Sequence, residues 1–194
     1  MTECWRYPYW PFPSAEAASV IHAAGSTGPD LLFLPMADWH ARTQRTQHLA
    51  QALSEAGSRC FYLNPHLGFE YPDIYCRCRE NRLAQLGARL FELHIRLPEE
   101  PVIHQGLPRR RESRILFEVL QRLVEFSPGG RLIQIVSLPF WLGVARSLKE
   151  VYGCPIVYDC HDHLSGFERL SREIIELEAE LFRHCDLAVF SSQR

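Results

Sequence analysis

The sequence predicts an α/β protein: a Rossmann-like three-layer sandwich whose mainly parallel sheet carries helices on both faces. Two observations predict it. From Asp30 onward, short apolar runs alternate with longer stretches of helical period, the pattern of βαβ units. The first of those runs, Leu31-Leu32-Phe33-Leu34, is continuously apolar, which suits a strand covered on both faces. Right-handed crossovers then make 3-2-1-4-5-6 the expected strand order. At 194 residues and 46% apolar, the chain is long enough for one large domain with a substantial core.

Residues 1–29 read as a Pro- and aromatic-rich N-terminal arm, with Trp5, Tyr7, Tyr9, Trp10 and Phe12 among Pro8, Pro11 and Pro13. The prolines and the lack of a period argue against regular structure there, a short helix over residues 15–24 excepted. Aromatic residues in such an arm cover either the domain itself or a partner. The domain proper is expected over residues 30–194. After the first strand, residues 42–56 read as a helix with Leu49, Ala52, Leu53 and Ala56 on one face, stopped by Gly57. Residues 59–64 read as a strand closed by Asn64-Pro65. The stretch 65–87 shows no clear pattern beyond a weak strand signal at 71–79. Residues 88–97 alternate loosely, Leu90, Glu92, His94 and Arg96 against Phe91, Leu93 and Ile95, as in a half-exposed or edge strand.

Further on, residues 112–126 are helical, with Leu116, Val119, Leu120 and Leu123 aligned, and Ser127-Pro128-Gly129-Gly130 breaks the pattern. A strand is expected at 131–136. A helix at 140–152 turns Trp141, Val144, Ala145, Leu148 and Val151 inward. A strand at 156–158 leads to a long helix at 170–184 on Leu170, Ile174, Leu177 and Leu181, then to a strand at 187–190. Such a last strand normally feeds further structure, so the chain is expected to be one half of a longer protein or a piece ending at a domain boundary.

Net charge is −2 with histidines neutral, which points away from nucleic acid as a partner. The cysteine count is odd, at seven, and is read as reduced thiols of a cytoplasmic protein rather than a disulfide framework. No apolar run approaches the ~18 residues of a membrane-spanning helix, and the N-terminus lacks the basic-then-apolar order of a secretion signal. Arg109-Arg110-Arg111 with Arg114 forms a basic spot, either solvated or facing lipid phosphates in a peripheral membrane contact.

Ligands bind open α/β sheets where strands end at their carboxyl side, which singles out three loops. The first is residues 35–45, with Asp38, His40, Arg42 and Arg45 near a helix start. It has no glycine, so the dinucleotide fingerprint is absent, and its side-chain donors suit an anionic or hydroxyl-rich ligand. The second is Ser137-Leu138-Pro139-Phe140-Trp141. The third begins at Asp159-Cys160-His161-Asp162-His163 and runs to Gly166-Phe167. In it Asp159 either takes backbone amides in the turn or serves a ligand. His161, Asp162 and His163 suit general acid–base work or anchoring of a hydroxylated substrate, since His titrates near neutrality and Asp can orient it. A metal site on the same triplet is the competing reading. Neighbouring side chains there point in different directions, no second ligand cluster stands out, and Cys76-Arg77-Cys78 is too closely spaced for a zinc knuckle. No metal is therefore expected.

These residues carry a resemblance. Asp38-Trp39 to Arg45, followed by Gln47-His48-Leu49-Ala50-Gln51-Ala52-Leu53 and Gly57, resemble the opening βα unit of GT-B glycosyltransferases, in particular bacterial enzymes related to glycosyltransferase family 4. Tyr158-Asp159-Cys160-His161-Asp162 to Gly166-Phe167 is similar to their segment of Tyr-Asp-Cys, then Asp, then Gly-Phe. Asp186-Leu187-Ala188-Val189-Phe190-Ser191-Ser192 resembles the strand that follows. The resemblance implies one half of a GT-B fold, two Rossmann-like domains around a cleft. This chain would be the N-terminal, acceptor-binding half, and a C-terminal donor domain would hold the nucleotide sugar. It also implies that Asp38, His40, Arg42, Arg45, Asp159 and Phe167 line the acceptor side. Two departures stand out. The family's first loop often carries paired glycines where this chain has Pro35-Met36-Ala37-Asp38, and a hydrophobic residue such as Met often stands at the position of His161.

The leading expectation is therefore the acceptor domain of a glycosyltransferase acting on a surface polysaccharide or lipid-linked glycan. It binds no cofactor of its own, and His161, Asp162 and His163 are the catalytic candidates. A metal-assisted hydrolase on that triplet and a non-catalytic module using the aromatic arm are the alternatives.

Overall fold

The computed structural model describes residues 7–68, 80–127, 132–161, 164–166 and 170–191; the weak strand signal at 71–79 lies outside them. The elements run β1 (Tyr9–Pro11), α1 (Ala15–Ala23), β2 (Asp30–Leu34), α2 (Arg45–Glu55), β3 (Cys60–Leu63), β4 (Arg82–Gln85), β5 (Leu90–His94), α3 (Arg110–Phe126), β6 (Leu132–Val136), α4 (Leu142–Tyr152), β7 (Ile156–Cys160), α5 (Arg172–His184) and β8 (Leu187–Phe190). They form one sheet in the order β1-β4-β5-β3-β2-β6-β7-β8. From β5 to β8 all neighbours are parallel, and this stretch is the expected 3-2-1-4-5-6 arrangement. Beyond β5 the sheet continues antiparallel through β4 to β1.

Two expectations about the strands need correction. The arm contains a strand: Tyr9–Pro11 pairs with Arg82–Gln85, and Phe12 is buried edge-on to Phe126, ring centroids 5.7 Å apart. Its aromatics thus cover this sheet, as Trp10 also does. A proline at the end of a short edge strand is the position the ladder tolerates. The second correction concerns β5. It is an interior strand, and all five of its residues are buried, because β4 and β1 cover the side left open in the sequence reading.

The core lies mainly on one face, where α1, α3, α4 and α5 meet Leu32, Leu34, Phe61, Leu63, Phe91 and Leu93 of the sheet. On the other face α2 covers Leu31, Phe33, Cys60, Tyr62 and Leu90. Local signals end the helices. Ser14 and Ser171 cap α1 and α5 by accepting from Ala17 N and Ile174 N, and Gly153 closes α4 at φ 68°. Helix α2 sits rotated from its expected face: Thr46, Gln47, Ala50 and Ser54 are buried, whereas Ala52 and Ala56 are exposed. Val151 is 62% exposed, because α4 turns only Leu142, Val144, Ala145 and Leu148 inward. Cys60 and Cys154 are buried thiols, pushed up to about 12 and about 11, in both cases chiefly by burial, as befits unreactive core residues.

At the amino end of the sheet a buried ion pair joins three elements. Arg59 donates from Nε and Nη2 to the two oxygens of Asp30, at 2.8 and 2.7 Å, and from Nη1 to the carbonyl of Ile21 at 2.8 Å. This fork fixes α1 and the starts of β2 and β3 together. Arg59→Ala leaves Asp30 buried without its partner. It is expected to lower unfolding free energy by about 3–5 kcal/mol, read as a shifted midpoint in urea titration.

Candidate functional site

The carboxyl ends of the parallel strands carry two linked polar clusters. The first sits where β2, β3 and β5 end. Asn64 is fully buried, and its Nδ2 donates to Oδ2 of Asp38 at 3.0 Å and to Oε1 of Glu92 at 2.7 Å. Asp38 Oδ1 accepts from the backbone of His40 at 2.5 Å. The other oxygen of Glu92 meets His40 Nε2 at 2.9 Å. Each carboxylate is thus held by two donors from different segments, which is what lets them lie at 4% and 3% exposure. Burial by itself raises the pKa of Glu92, but the His40 and Asn64 contacts outweigh it and hold the group below its ordinary value. His94, next but one on β5, is pushed down to about 4, first by burial and then by Arg82, and is neutral at pH 7.

The second cluster sits at the end of β7. Asp159 is 2% exposed. Its Oδ2 lies 2.6 Å from His161 Nε2, and Arg45 Nε donates to its Oδ1 at 3.0 Å. Here too burial raises the carboxyl pKa, while His161 and Arg45 together bring it below the usual range. Thr46 Oγ1 lies 3.4 Å from both Ser137 Oγ and His161 Nε2. Asp159 thus meets Arg45 of the first loop and His161 of its own.

Residues 35–45 link the two clusters, with Asp38 and His40 in one and Arg45 in the other. Gln47 holds the loop down: its Oε1 accepts from Gln44 N at 2.7 Å, and its Nε2 donates to the carbonyl of Asp38 at 3.0 Å. This polar inward side chain, in the first turn of α2, is why the helix is rotated. Arg42 stays exposed, and its carbonyl accepts from Gln47. Asp162, His163 and Phe167 lie outside the described residues. The second loop proves to be core: Pro139, Phe140 and Trp141 are buried, and Trp141 Nε1 donates to the carbonyl of Pro35 at 2.7 Å. Its aromatics buttress the start of the first loop. The basic spot is partly neutralised, with Arg109 paired to Glu99 and Arg114 to Glu118 on the surface.

Beside the first cluster opens a cavity of about 800 Å3. Asp38, His66, Glu100 and His104 supply its polar lining; Met36, Leu97 and Ile103 are among its apolar walls. Both ring nitrogens of His66 face carboxylates, Nε2 at 3.8 Å from Asp38 and Nδ1 at 3.6 Å from Glu100. Sequence reasoning missed Asn64, Glu92, His66, Glu100 and His104. The available signal was Asn64-Pro65-His66 directly after a strand, together with an acid inside an otherwise apolar strand. The size and mixed lining suit a small ligand. Among the described residues no three His, Cys, Asp or Glu side chains are arranged so that they could hold a metal ion, and none of their helices is long and apolar enough to cross a membrane.

No protein-family model and no curated protein matches the chain. A solved structure, sucrose-phosphate synthase from Thermosynechococcus elongatus, shares its fold at a TM-score of 0.54 and 12% identity, over 83% of this chain and 42% of that one. The chain therefore spans less than half the length of that neighbour, a GT-B glycosyltransferase. At this identity the likeness establishes a glycosyltransferase-like fold and nothing finer.

The depressed carboxyl of Glu92 sets a pH dependence. The folded group binds its proton less tightly than the unfolded one. Its stabilisation is therefore complete above the ordinary value of 4.5 and is lost as pH falls through the lower folded-state value. In urea titrations from about pH 7 to about pH 3, wild type should exceed Glu92→Gln in stability at neutral pH and lose that advantage on acidification. An advantage that is constant or grows in acid contradicts the assignment.

Proposed function

We propose that the chain is the acceptor-binding domain of a glycosyltransferase that moves a sugar from a nucleotide-sugar donor to a hydroxyl of a glycan or lipid-linked acceptor, in surface polysaccharide synthesis. The observation that carries the reading is the cavity at the carboxyl edge of a glycosyltransferase-like fold, with carboxylates and imidazoles set between apolar walls. Carboxylates and imidazoles accept hydrogen bonds from hydroxyls, and apolar walls suit the C–H faces of a sugar ring.

In this reading the paired Asp159 and His161 handle the proton. A neutral His161 whose Nε2–H donates to Asp159 carries its lone pair on Nδ1. As the acceptor hydroxyl attacks the anomeric carbon and the bond to the leaving diphosphate breaks, Nδ1 takes the hydroxyl proton. Asp159 then balances the imidazolium charge, with Arg45 fixing the carboxylate from its other side. Asp162 and His163, next in the chain, stand as further candidates for that hydroxyl. The first loop has no glycine cradle for phosphates, so the donor falls to a second domain, where helix dipoles and basic side chains would stabilise the leaving group without a metal. Arg110 and Arg111, exposed at the start of α3, would face a membrane that presents a lipid-linked acceptor.

Calorimetric titration of the chain separates acceptor from donor binding. Oligosaccharides should bind weakly, with Kd about 1 mM, and nucleotide sugars should give no saturable heat in the same range. Tight nucleotide-sugar binding, Kd about 1 μM or below, would overturn the proposal.

A further inference from the structure

The carboxyl-edge cavity has a charge character that limits what it can hold. Its described lining contains two carboxylates, Asp38 and Glu100, and no lysine or arginine. His104 is held below its ordinary value, chiefly by burial and against the Met36 carbonyl that its ring meets, and so is uncharged at neutral pH. His66 lies between the two carboxylates; even counted as charged, it offsets one of them and leaves the other.

The carboxylates are fixed in place. Asp38 is pinned by Asn64 and by the backbone of His40, yet a carboxylate has about four acceptor sites, so it retains capacity toward the cavity. Glu100 depends on Gly68: a Cβ built there would come within 2.3 Å of Glu100 Oε2 and 2.6 Å of its Cβ. The glycine makes room for the acid to fold against the cavity wall, where it is 23% exposed. Glu92 adds a third carboxylate behind Asn64.

A phosphate or carboxylate ligand would meet fixed like charges in a recess where screening is weak. Sugar hydroxyls, in contrast, are donors that a fixed carboxylate can accept in pairs. We infer that this cavity takes the acceptor as an uncharged or amino sugar, and that Asp38 and Glu100 exclude phosphorylated and acidic ones. The inference rests on the acceptor-domain reading above and narrows it to a substrate class.

The test titrates the chain with matched monosaccharides in the gluco, galacto and manno series: methyl glycoside, amino sugar, sugar 6-phosphate and uronic acid, followed by saturation-transfer NMR. In at least one series the neutral and amino sugars should bind, and the phosphate and uronate should bind at least tenfold more weakly. Glu100→Gln, checked for an unchanged circular dichroism spectrum, should narrow that gap several-fold. A phosphate or uronate that binds as well as its neutral counterpart overturns this inference and leaves the acceptor-domain reading standing, as does a gap that a folded Glu100→Gln leaves unchanged. If no sugar of any class binds, the acceptor-domain reading itself fails. The wild-type comparison decides the matter even if the variant does not fold.

Discussion

One side-chain amide, Nδ2 of Asn64, donates to two buried carboxylates at once, Asp38 after β2 and Glu92 on β5. The geometry of the whole carboxyl edge depends on that shared donor. Two carboxylates this deeply buried repel each other and resist desolvation, and burial by itself raises the pKa of Glu92. Asn64 and His40 supply the hydrogen bonds that keep Glu92 ionised. The arrangement spans three adjacent parallel strands, because β3 lies between β2 and β5 in the sheet. A strand order other than the observed one would not bring these three ends together.

From this centre the remaining contacts follow in sequence. Asp38 sets the path of the first loop through the His40 amide, and Gln47 ties the same turn to α2. Fixing the start of α2 delivers Arg45 to Asp159 and Thr46 to His161. The Asp159–His161 pair at the end of β7 and the cavity beside β2, β3 and β5 are thus positioned by one loop. Its conformation is set by side chains that are themselves buried and paired. Such a loop is preorganised, which is what an acceptor wall requires if the attacking hydroxyl is to be oriented before reaction.

Much of this was legible in the sequence, and the exceptions share a cause. The order of the parallel strands follows from the alternation of apolar runs and helical periods, and Asp159, His161 and Arg45 were identifiable from their places at strand and helix ends. The misreadings arose wherever a polar residue faced inward. Glu92 and His94 looked like the wet face of an edge strand; they are buried because β4 and β1 extend the sheet past them, because Asn64 and His40 hold the Glu92 carboxylate, and because the Gly68 carbonyl meets His94 Nε2. Strand β4 itself begins with Arg82, which is 2% exposed, so its charge concealed it. Thr46 and Gln47 rotate α2 in the same way. Trp141, expected to face inward, does so, and its indole hydrogen bond to Pro35 ties it to the core. Periodicity reads burial from polarity, and it fails where tertiary hydrogen bonds make polar burial tolerable.

The central claim, that this edge is the wall on which a sugar acceptor lies, is tested most directly by backbone amide chemical-shift mapping with a neutral oligosaccharide. The account predicts shifts concentrated at residues 36–41, 64–68, 97–104 and 159–161. Shifts confined to the exposed edge strand Leu187–Phe190, or to the small apolar recess lined by Leu116, Phe140 and Val144, with the carboxyl edge unmoved, would contradict it.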